Sequence, residues 1–543
     1  MTMKKILAAV FLLSVALQAG AQGWTDALNF SENDYLGTAR SVGMGNAMTA
    51  VGGDLGSLTF NPAGSAVASY SQFTITPGLS FSTVTAQGSL LGSDNGLLGF
   101  EDSYKTRNGR MGLPNFGAMM VYDTRNKRGL KRVSFGIVGN VTRDYTNRLR
   151  ATGTSANHNT SVAGSLASQA DGYDQSVLEN GGFYDRNIPS WEAMVGYKGG
   201  LFGPVGDTYV GLTETMLDNG KIIVPEKIDQ YYGLDRKGSK YDLLMNFGLD
   251  FNDKFFFGAN IGITTLSYRN DETRSEAAIP GIRYVNDFES LRIRSAYYDD
   301  GTGLYAKVGF IARPFNGLRI GAAIQTPTLM SVRETYQLEA RSVAENIEMS
   351  SSTPRDEWFY NVTAPWRANL GVAYTIGKLG LISADYEYTD FRGMKLSSAY
   401  NYDYDFSDEN LDIQDFTGPV HAIRLGAELK PMPEMALRVG YNLTTGAQYN
   451  TLSDDGRVIS LSSDERYNQL RSAVSFGVGY SSPGSFFADF AIRFQYLPNE
   501  YFTPYWYYYT ENGRTYVDNT VVTPEVCAQS ALCNALLTLG WRF

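Results

Sequence analysis

The feature that most constrains this chain is a two-residue alternation that begins near residue 70 and recurs to the last residue. The final stretch, A-L-L-T-L-G-W-R-F, is its cleanest example. Ala535, Leu537, Leu539, Trp541 and Phe543 share one face, and Leu536, Thr538, Gly540 and Arg542 share the other. A strand with one greasy face and one polar or small face suits a barrel wall between lipid and a polar lumen. Earlier segments repeat the pattern in pairs. Val133, Phe135, Ile137 and Val141 oppose Ser134, Gly136 and Asn140. Its partner near 116–122 joins it through Asn126-Lys127-Arg128-Gly129. Five further hairpins turn at 252–254, 314–317, 377–378, 431–433 and 482–484, all with the Gly, Pro, Asn or Asp chemistry of tight turns.

Between the pairs lie long stretches rich in Asp, Asn, Ser, Gly and Tyr, at 85–114, 144–239, 269–302, 327–365, 392–419, 447–471 and 498–533. Short turns at one end and long loops at the other are the asymmetry of an outer-membrane barrel. Strands of about ten residues, tilted about 45°, cover the apolar band. One strand near 70–84, six hairpins and the last strand make fourteen, the even number expected of a single-chain bacterial barrel. A β-sandwich would also alternate. It would not account for turns that are short on one side only, or for Lys307, Arg313, Arg424, Glu428, Arg438 and Arg493 in the lumen phase of otherwise greasy strands. Arg319 shares that phase, as do the acids Asp385, Glu387 and Asp489. The terminal Trp541 and Phe543 resemble the signal that the bacterial barrel assembly machinery reads.

The first residues have a different purpose. Lys4 and Lys5, an apolar run from Ile6 to Leu17, and Ala19-Gly20-Ala21 read as a signal peptide over 1–21, with export from the cytoplasm. The apolar run is too short for a membrane helix. Mean hydropathy is −0.23, which in a barrel only reflects that alternate residues meet lipid. The 36 Tyr and 29 Phe suit interfacial girdles. Net charge is −10, which speaks against nucleic acid as a partner. Two His and two Cys leave no metal cluster and no haem ligation to expect, and no cofactor is expected. Cys527 and Cys533 are expected to bond as a disulfide in an oxidising compartment, free thiols being the alternative.

Residues 37–64, GTARSVGMGNAMTAVGGDLGSLTFNPAG, fall between the leader and the first strand. Gly-Met-Gly-Asn-Ala-Met is no dinucleotide fingerprint: Met48 stands at the sixth position and no strand precedes it. The segment resembles the N-terminal plug of the FadL/TodX family of outer-membrane hydrophobic-compound transporters. The resemblance rests on Gly43, Gly45 and Ala47, then on Asn61, Pro62, Ala63 and Gly64, followed at once by a strand. Gly303–Thr326, Asp385–Phe391 and the closing strand are also similar to that family. The resemblance implies a fourteen-stranded barrel from 70 to 543, plugged by residues 22–69. It also implies movement of long-chain fatty acids or similar apolar ligands by ligand-gated displacement of the plug and lateral release. Residues 189–215 read either as one more hairpin, making sixteen strands, or as short helices in a loop. The loop is preferred, partly on the resemblance.

An acid head group would need cationic partners, for which Lys307, Arg313, Arg424, Arg438 and Arg493 are the candidates. The competing reading is that they pair with lumen acids. YFTPYWYYY at 501–509 suits either a landing platform for ligand or plain loop packing. The expected partners are a hydrophobic small molecule, outer-membrane lipid and lipopolysaccharide, and the assembly machinery, with the chain acting as a monomer. A general porin, a surface adhesin or antigen and an outer-membrane lipase are the alternatives. The lipase has only His421 to recommend it and lacks a G-x-S-x-G motif.

Overall fold

A computed structural model describes residues 23–88, 99–155, 160–214, 216–218, 221–223, 227–282, 284, 287–399, 404–452, 457–511, 514–518 and 521–543. The leader at 1–21 lies outside them. Fourteen strands form the wall: β1 (Gln72–Gly88), β2 (Tyr104–Asp123), β3 (Leu130–Asp144), β4 (Asp229–Phe251), β5 (Phe255–Ala277), β6 (Phe288–Ala312), β7 (Leu318–Gln325), β8 (Arg367–Ile376), β9 (Gly380–Asp390), β10 (Pro419–Met432), β11 (Met435–Thr444), β12 (Arg471–Ser481), β13 (Phe486–Tyr496) and β14 (Val526–Arg542). Each pairs antiparallel with the next, and β14 returns to β1 from Gln72↔Arg542 to Gly88↔Val526. Closure gives every strand of the ring a partner on each side, which is what a β structure in lipid requires.

The alternation sorts as expected. Phe135, Ile137, Ile261, Leu304, Phe310, Leu370 and Phe490 are exposed on the outside, whereas Ser134, Asn140, Asn260, Lys307, Asn369 and Asp489 are buried inside. Among the described residues no helix is long and apolar enough to cross a membrane. Trp541 and Phe543 lie on the outer face, with Trp541 against Phe73 and Phe486. The backbones of Phe543 and Ser71 exchange hydrogen bonds of 3.0 and 3.1 Å.

Several expected loops turn out to be continuing sheet. β4, β5 and β6 run for 23, 23 and 25 residues. Added strands at Asn147–Thr154, Leu329–Ala344 and Asp356–Thr363 heighten the same wall. Above the bilayer the outside faces water, so both faces of a strand are polar and the alternation fades; Arg269-Asn270-Asp271-Glu272 on β5 is such a stretch. The turn expected at 431–433 is shifted: Pro431 and Met432 stay on β10 beside a register shift between Leu429 and Met432. A proline is tolerated where pairing is already irregular.

The stretch 189–215 adds nothing to the wall. It forms a helix at Trp191–Lys198 and a separate two-stranded hairpin at Phe202–Val205 and Thr208–Gly211, so the strand count stays at fourteen. With helices at Val162–Ala170 and Gln175–Asn180 it builds a small cap. Val162, Leu166, Met194, Val195 and Phe202 pack on Leu291, Ile293 and Leu338. Leu291 and Ile293 share the lumen face of Lys307, so the cap sits within the mouth of the extended wall. The aromatic run serves this packing: Tyr505 is buried in the cap core, and Tyr507 donates to Glu214 at 2.9 Å.

The expected disulfide is a correction. Both thiols are free. Cys527 and Cys533 stand on the outer face of β14 opposite Gln87 and Phe81. A rise over six residue steps of strand sets them roughly 20 Å apart, against about 6 Å between the Cα atoms of a disulfide. The strand begins earlier than the loop reading assumed, and a straight strand cannot fold the two together.

The cap carries a titration. Glu276, at the top of β5, accepts from the Val162 amide at 2.7 Å and from Gln230 at 3.1 Å. Burial raises its carboxyl from the usual 4.5 to about 7, against the lowering effect of those hydrogen bonds; nearby Glu214 adds repulsion. The docked cap thus holds a proton that a released Glu276 would have lost. Docking should be strongest below about pH 4.5 and weaken up to about pH 7, by up to about 1.4 kcal/mol per unit. Amide protection over 162–170, corrected for intrinsic exchange, should follow that slope, and Glu276→Gln should flatten it.

Candidate functional site

Residues 23–69 occupy the lumen, and their sequence dictates the conformation. Helix α1 (Trp24–Ser31) starts at Gly23, whose amide donates to Asp26 at 3.2 Å. Its apolar face enters a greasy chamber: Trp24 stacks on Phe416 at 5.6 Å and Phe30 meets Tyr268 edge-on at 5.8 Å. An extended stretch follows. Helix α2 (Ala39–Gly43) is then capped by Thr38, whose hydroxyl accepts from the Ser41 amide and donates to Asp54 at 2.6 Å. The last turns are 3-10, at Leu55–Thr59 and Pro62–Gly64.

The motif residues all touch the wall or one another. Gly45 has φ +61°, and a Cβ there would come within 2.9 Å of the Tyr441 and Leu425 backbones. The wall answers with Gly440, where a Cβ would lie 1.9 Å from the Gly45 nitrogen. Only a glycine pair allows backbone to lie on backbone this closely. Gly43 approaches Gly477, and Ala47 is fully buried. The Asn61 side-chain amide donates to Thr49 O (2.8 Å) and to Phe310 O of β6 (3.0 Å), while its Oδ1 accepts from Ala63 N. Pro62 holds Asn61 extended at φ −144°, and Pro62 O accepts from Asn246 at 2.9 Å. Gly64 O accepts from Gly53 N, which closes the segment on itself.

The five candidate cations do not converge on one point. Lys307 donates to Thr59 O at 2.7 Å. Arg313 lies over the Phe256 ring at 4.6 Å, and Arg319 donates to Val51 O. Arg438 bridges Glu428 (2.7 Å) and Asp489 (2.6 Å), and Glu428 also takes Arg40 of α2 at 2.9 Å. Only Arg424 and Arg493 share a site. They line a chamber beside plug residues 32–35, together with Arg367, Arg471, Glu32, Asp34 and Glu387. Arg424 and Arg367 hold Glu387 at 2.8 and 3.3 Å. Arg493 holds Asp34, and Arg471 holds Glu32, whose other oxygen takes Arg143 at 2.6 Å. Arg424 and Arg438 pair with lumen acids of the wall, as the competing reading had it; Arg493 pairs with Asp34 of the plug, and Lys307 and Arg313 go to a backbone carbonyl and a ring. Glu32, Asp34, Arg367 and Arg471 were missed from sequence. Arg471 was missed because the strand was begun one residue late, although it is in phase with Ala473 and Ser475. Nothing local marks Glu32 or Asp34.

The wall has one interruption beside this chamber. Pairing of β2 with β3 stops at Asn115↔Asn140, while β2 continues upward to Tyr104 on β1 alone. Pro114 stands at the stop, and across on β1 a register shift falls at Pro77, between Thr76 and Gly78. Neither proline has an N–H to give a ladder. The edge of β3 so released is not left bare. Thr142 O accepts from Asp34 N at 2.7 Å and Val141 O from Leu36 N at 2.9 Å, a short antiparallel bridge to the plug. His421, for comparison, lies on the outer face with its Nδ1 2.7 Å from the Tyr386 hydroxyl.

No family model and no curated protein matches the sequence. Solved structures do match. A Pseudomonas aeruginosa FadL homologue covers 94% of this chain and 98% of its own at 13% identity and a TM-score of 0.50. The Pseudomonas putida toluene transporter TodX covers 94% and 99% at 12% identity and 0.47. The Ralstonia pickettii toluene transporter TbuX covers 95% and 100% at 13% and 0.44. With its closed fourteen-stranded wall and greasy outer band, the chain has the fold of the FadL homologue and is a barrel of the bacterial outer membrane, with residues 23–69 in its lumen.

Proposed function

We propose that this protein carries hydrophobic small molecules, long-chain fatty acids or similar apolar compounds, from the cell surface across the outer membrane. The ligand gates the plug and leaves sideways into the bilayer. The observation that carries this reading is the combination of a lumen filled by residues 23–69 with a wall whose pairing breaks beside that filling. A greasy molecule gains nothing from a water-filled pore, and it gains most from an exit that leads to lipid. The break has a greasy outer lip, with Met111 75% and Leu113 41% exposed. The FadL-type fold supports the same direction. A general porin is disfavoured by the filled lumen.

The exit can be tested at Gly112, where an added Cβ would meet nothing within 4 Å. Gly112→Trp should lower laurate uptake by cells expressing the protein about tenfold, or about 1.4 kcal/mol of barrier. The folded fraction on unheated gels should be unchanged. Unchanged uptake would remove the lateral exit. Rapid swelling of sugar-loaded liposomes by the intact protein would remove the hydrophobic-carrier reading altogether.

A further inference from the structure

The charge of this chain is unevenly placed. The whole sequence carries −10. The short-turn end of the barrel, which faces the periplasm in a bacterial outer membrane, has the opposite sign. The segments 123–132, 250–254, 313–319, 376–379, 430–434, 482–485 and 541–543 together hold eleven Lys and Arg and four Asp and Glu. Two of those acids are already taken: Asp253 holds Lys131 and Arg132, and Asp250 also holds Arg132, each at 2.5 Å. Arg125, Lys127, Arg128, Lys254 and Lys378 stand exposed on the turns.

Three further cations of this end point to the axis of the ring. Arg313, Arg319 and Arg542 share the lumen phase of Ile311, Ala323 and Thr538, all of them buried. Arg319 reaches the underside of the plug, donating to Val51 O at 2.5 Å. Arg313 lies over the Phe256 ring, and Arg542 over Tyr70 and Phe487. The Nε of Arg313 and of Arg542 is buried without a hydrogen-bond partner. Among the described residues none of the three has a carboxylate for a partner; their contacts are rings and one carbonyl. The ladder of the β6–β7 hairpin ends at Ala312↔Ile320, and one step lower Arg313 stands across from Arg319. Like charges opposed in this way repel, and an anion between them relieves the repulsion. The turn that joins them carries Phe315 at its tip, 73% exposed. Arginine and aromatic side chains are the ones enriched where proteins meet.

The excess charge is spread over a face rather than gathered in a pocket. Fourteen strands, about 4.8 Å apart and tilted about 45°, make a ring roughly 30 Å across, an area of about 700 Å². Each partner in a standard protein–protein interface gives about 800 Å². Phospholipid head groups meet the ring from outside and do not reach side chains that point to its axis. We propose that the periplasmic end of this barrel is a docking face for an acidic protein of the periplasm. Carboxylates of the partner take Arg313 and Arg319 across the mouth, the cations on the turns steer it into place, and Phe315 is the apolar anchor. Docking here uses no part of the apolar route and is independent of the carrier reading.

The first arm of the test uses the intact protein in phosphatidylcholine nanodiscs and an oligoglutamate peptide of about twenty residues. The peptide should bind with a Kd on the order of micromolar and should weaken about tenfold when salt rises about tenfold. It should also slow amide exchange at 315–317 and at 127–129. Arg313→Gln with Arg319→Gln should weaken binding about tenfold, and Lys127→Gln with Arg128→Gln about threefold. The second arm works in cells. Benzoylphenylalanine in place of Phe315 should give, on irradiation, a discrete adduct with an acidic periplasmic protein, and the two arginine changes should remove it. Adducts with lipid alone, or turn amides protected by phosphatidylglycerol nanodiscs and not by the peptide, would put a phospholipid in place of the protein. Inorganic phosphate that displaces the peptide fully at equal charge would reduce the face to a site for small ions. Failure of the unaltered protein to bind the peptide overturns the docking face, whatever the variants do.

Discussion

Deleting residues 22–64 turns this barrel into an open pore. A closed wall of eight strands is filled by its own side chains, whereas sixteen to eighteen leave an aqueous channel. Fourteen lie between, and here the space is taken by chain rather than by side chains. Asn61, Thr49, Gly45 and Pro62 all lie against wall residues. Their loss opens a path from mouth to turns. The arginines left behind, Arg424, Arg471 and Arg493, become hydrated rather than stranded, so the wall should still assemble. In planar bilayers the truncated protein should conduct steadily, with a conductance on the order of tenfold or more above that of the intact chain. A truncated barrel that inserts and stays silent would show that the cap, not the N-terminal segment, closes the lumen.

The second large effect is expected at Glu428. This carboxylate takes Arg40 of the plug at 2.9 Å and Arg438 of the wall at 2.7 Å, and its side chain is only 2% exposed. Removing one member of a buried ion network leaves its partners charged and unpaired, at about 3–5 kcal/mol. Arg438 keeps Asp489 at 2.6 Å, so Arg40 bears most of the loss. Glu428→Met should therefore lower the temperature at which the folded band disappears on gels and should loosen α2. Arg40→Met added to it should cost less than the sum of the two single changes, because the stranded guanidinium is gone. Additive losses would mean that the pair contributes nothing as a pair.

The strands were legible because each one reports on its own surroundings. β14 alternates because lipid lies on one side of it and lumen on the other, and no distant residue is needed to say so. The plug was legible through its resemblance to the FadL/TodX segment, carried by Gly43, Gly45, Ala47 and residues 61–64; Pro62 constrains Asn61, and Gly45 permits a tight turn, wherever the segment lies. Legibility failed above the bilayer, where water on the outer face of β4, β5 and β6 removes the contrast. It failed again at Cys527 and Cys533, where composition suggested a bond that the length of a strand forbids. The break in the wall had a local signal in Pro77 and Pro114, each inside an otherwise good strand.

The sequence by itself determined a fourteen-stranded, asymmetric barrel with a glycine-hinged segment ahead of it, because period, turn chemistry and backbone restriction act over a few residues. The tertiary structure decided which charges meet. Arg493 finds Asp34 across 459 positions, Arg471 finds Glu32 across 439, and Leu36 bridges to Val141. Such pairings depend on the register of each strand, in which a slip of one residue turns every side chain to the opposite face. They depend equally on how deep the plug sits. No local pattern carries either quantity, and both emerge only once the ring has closed.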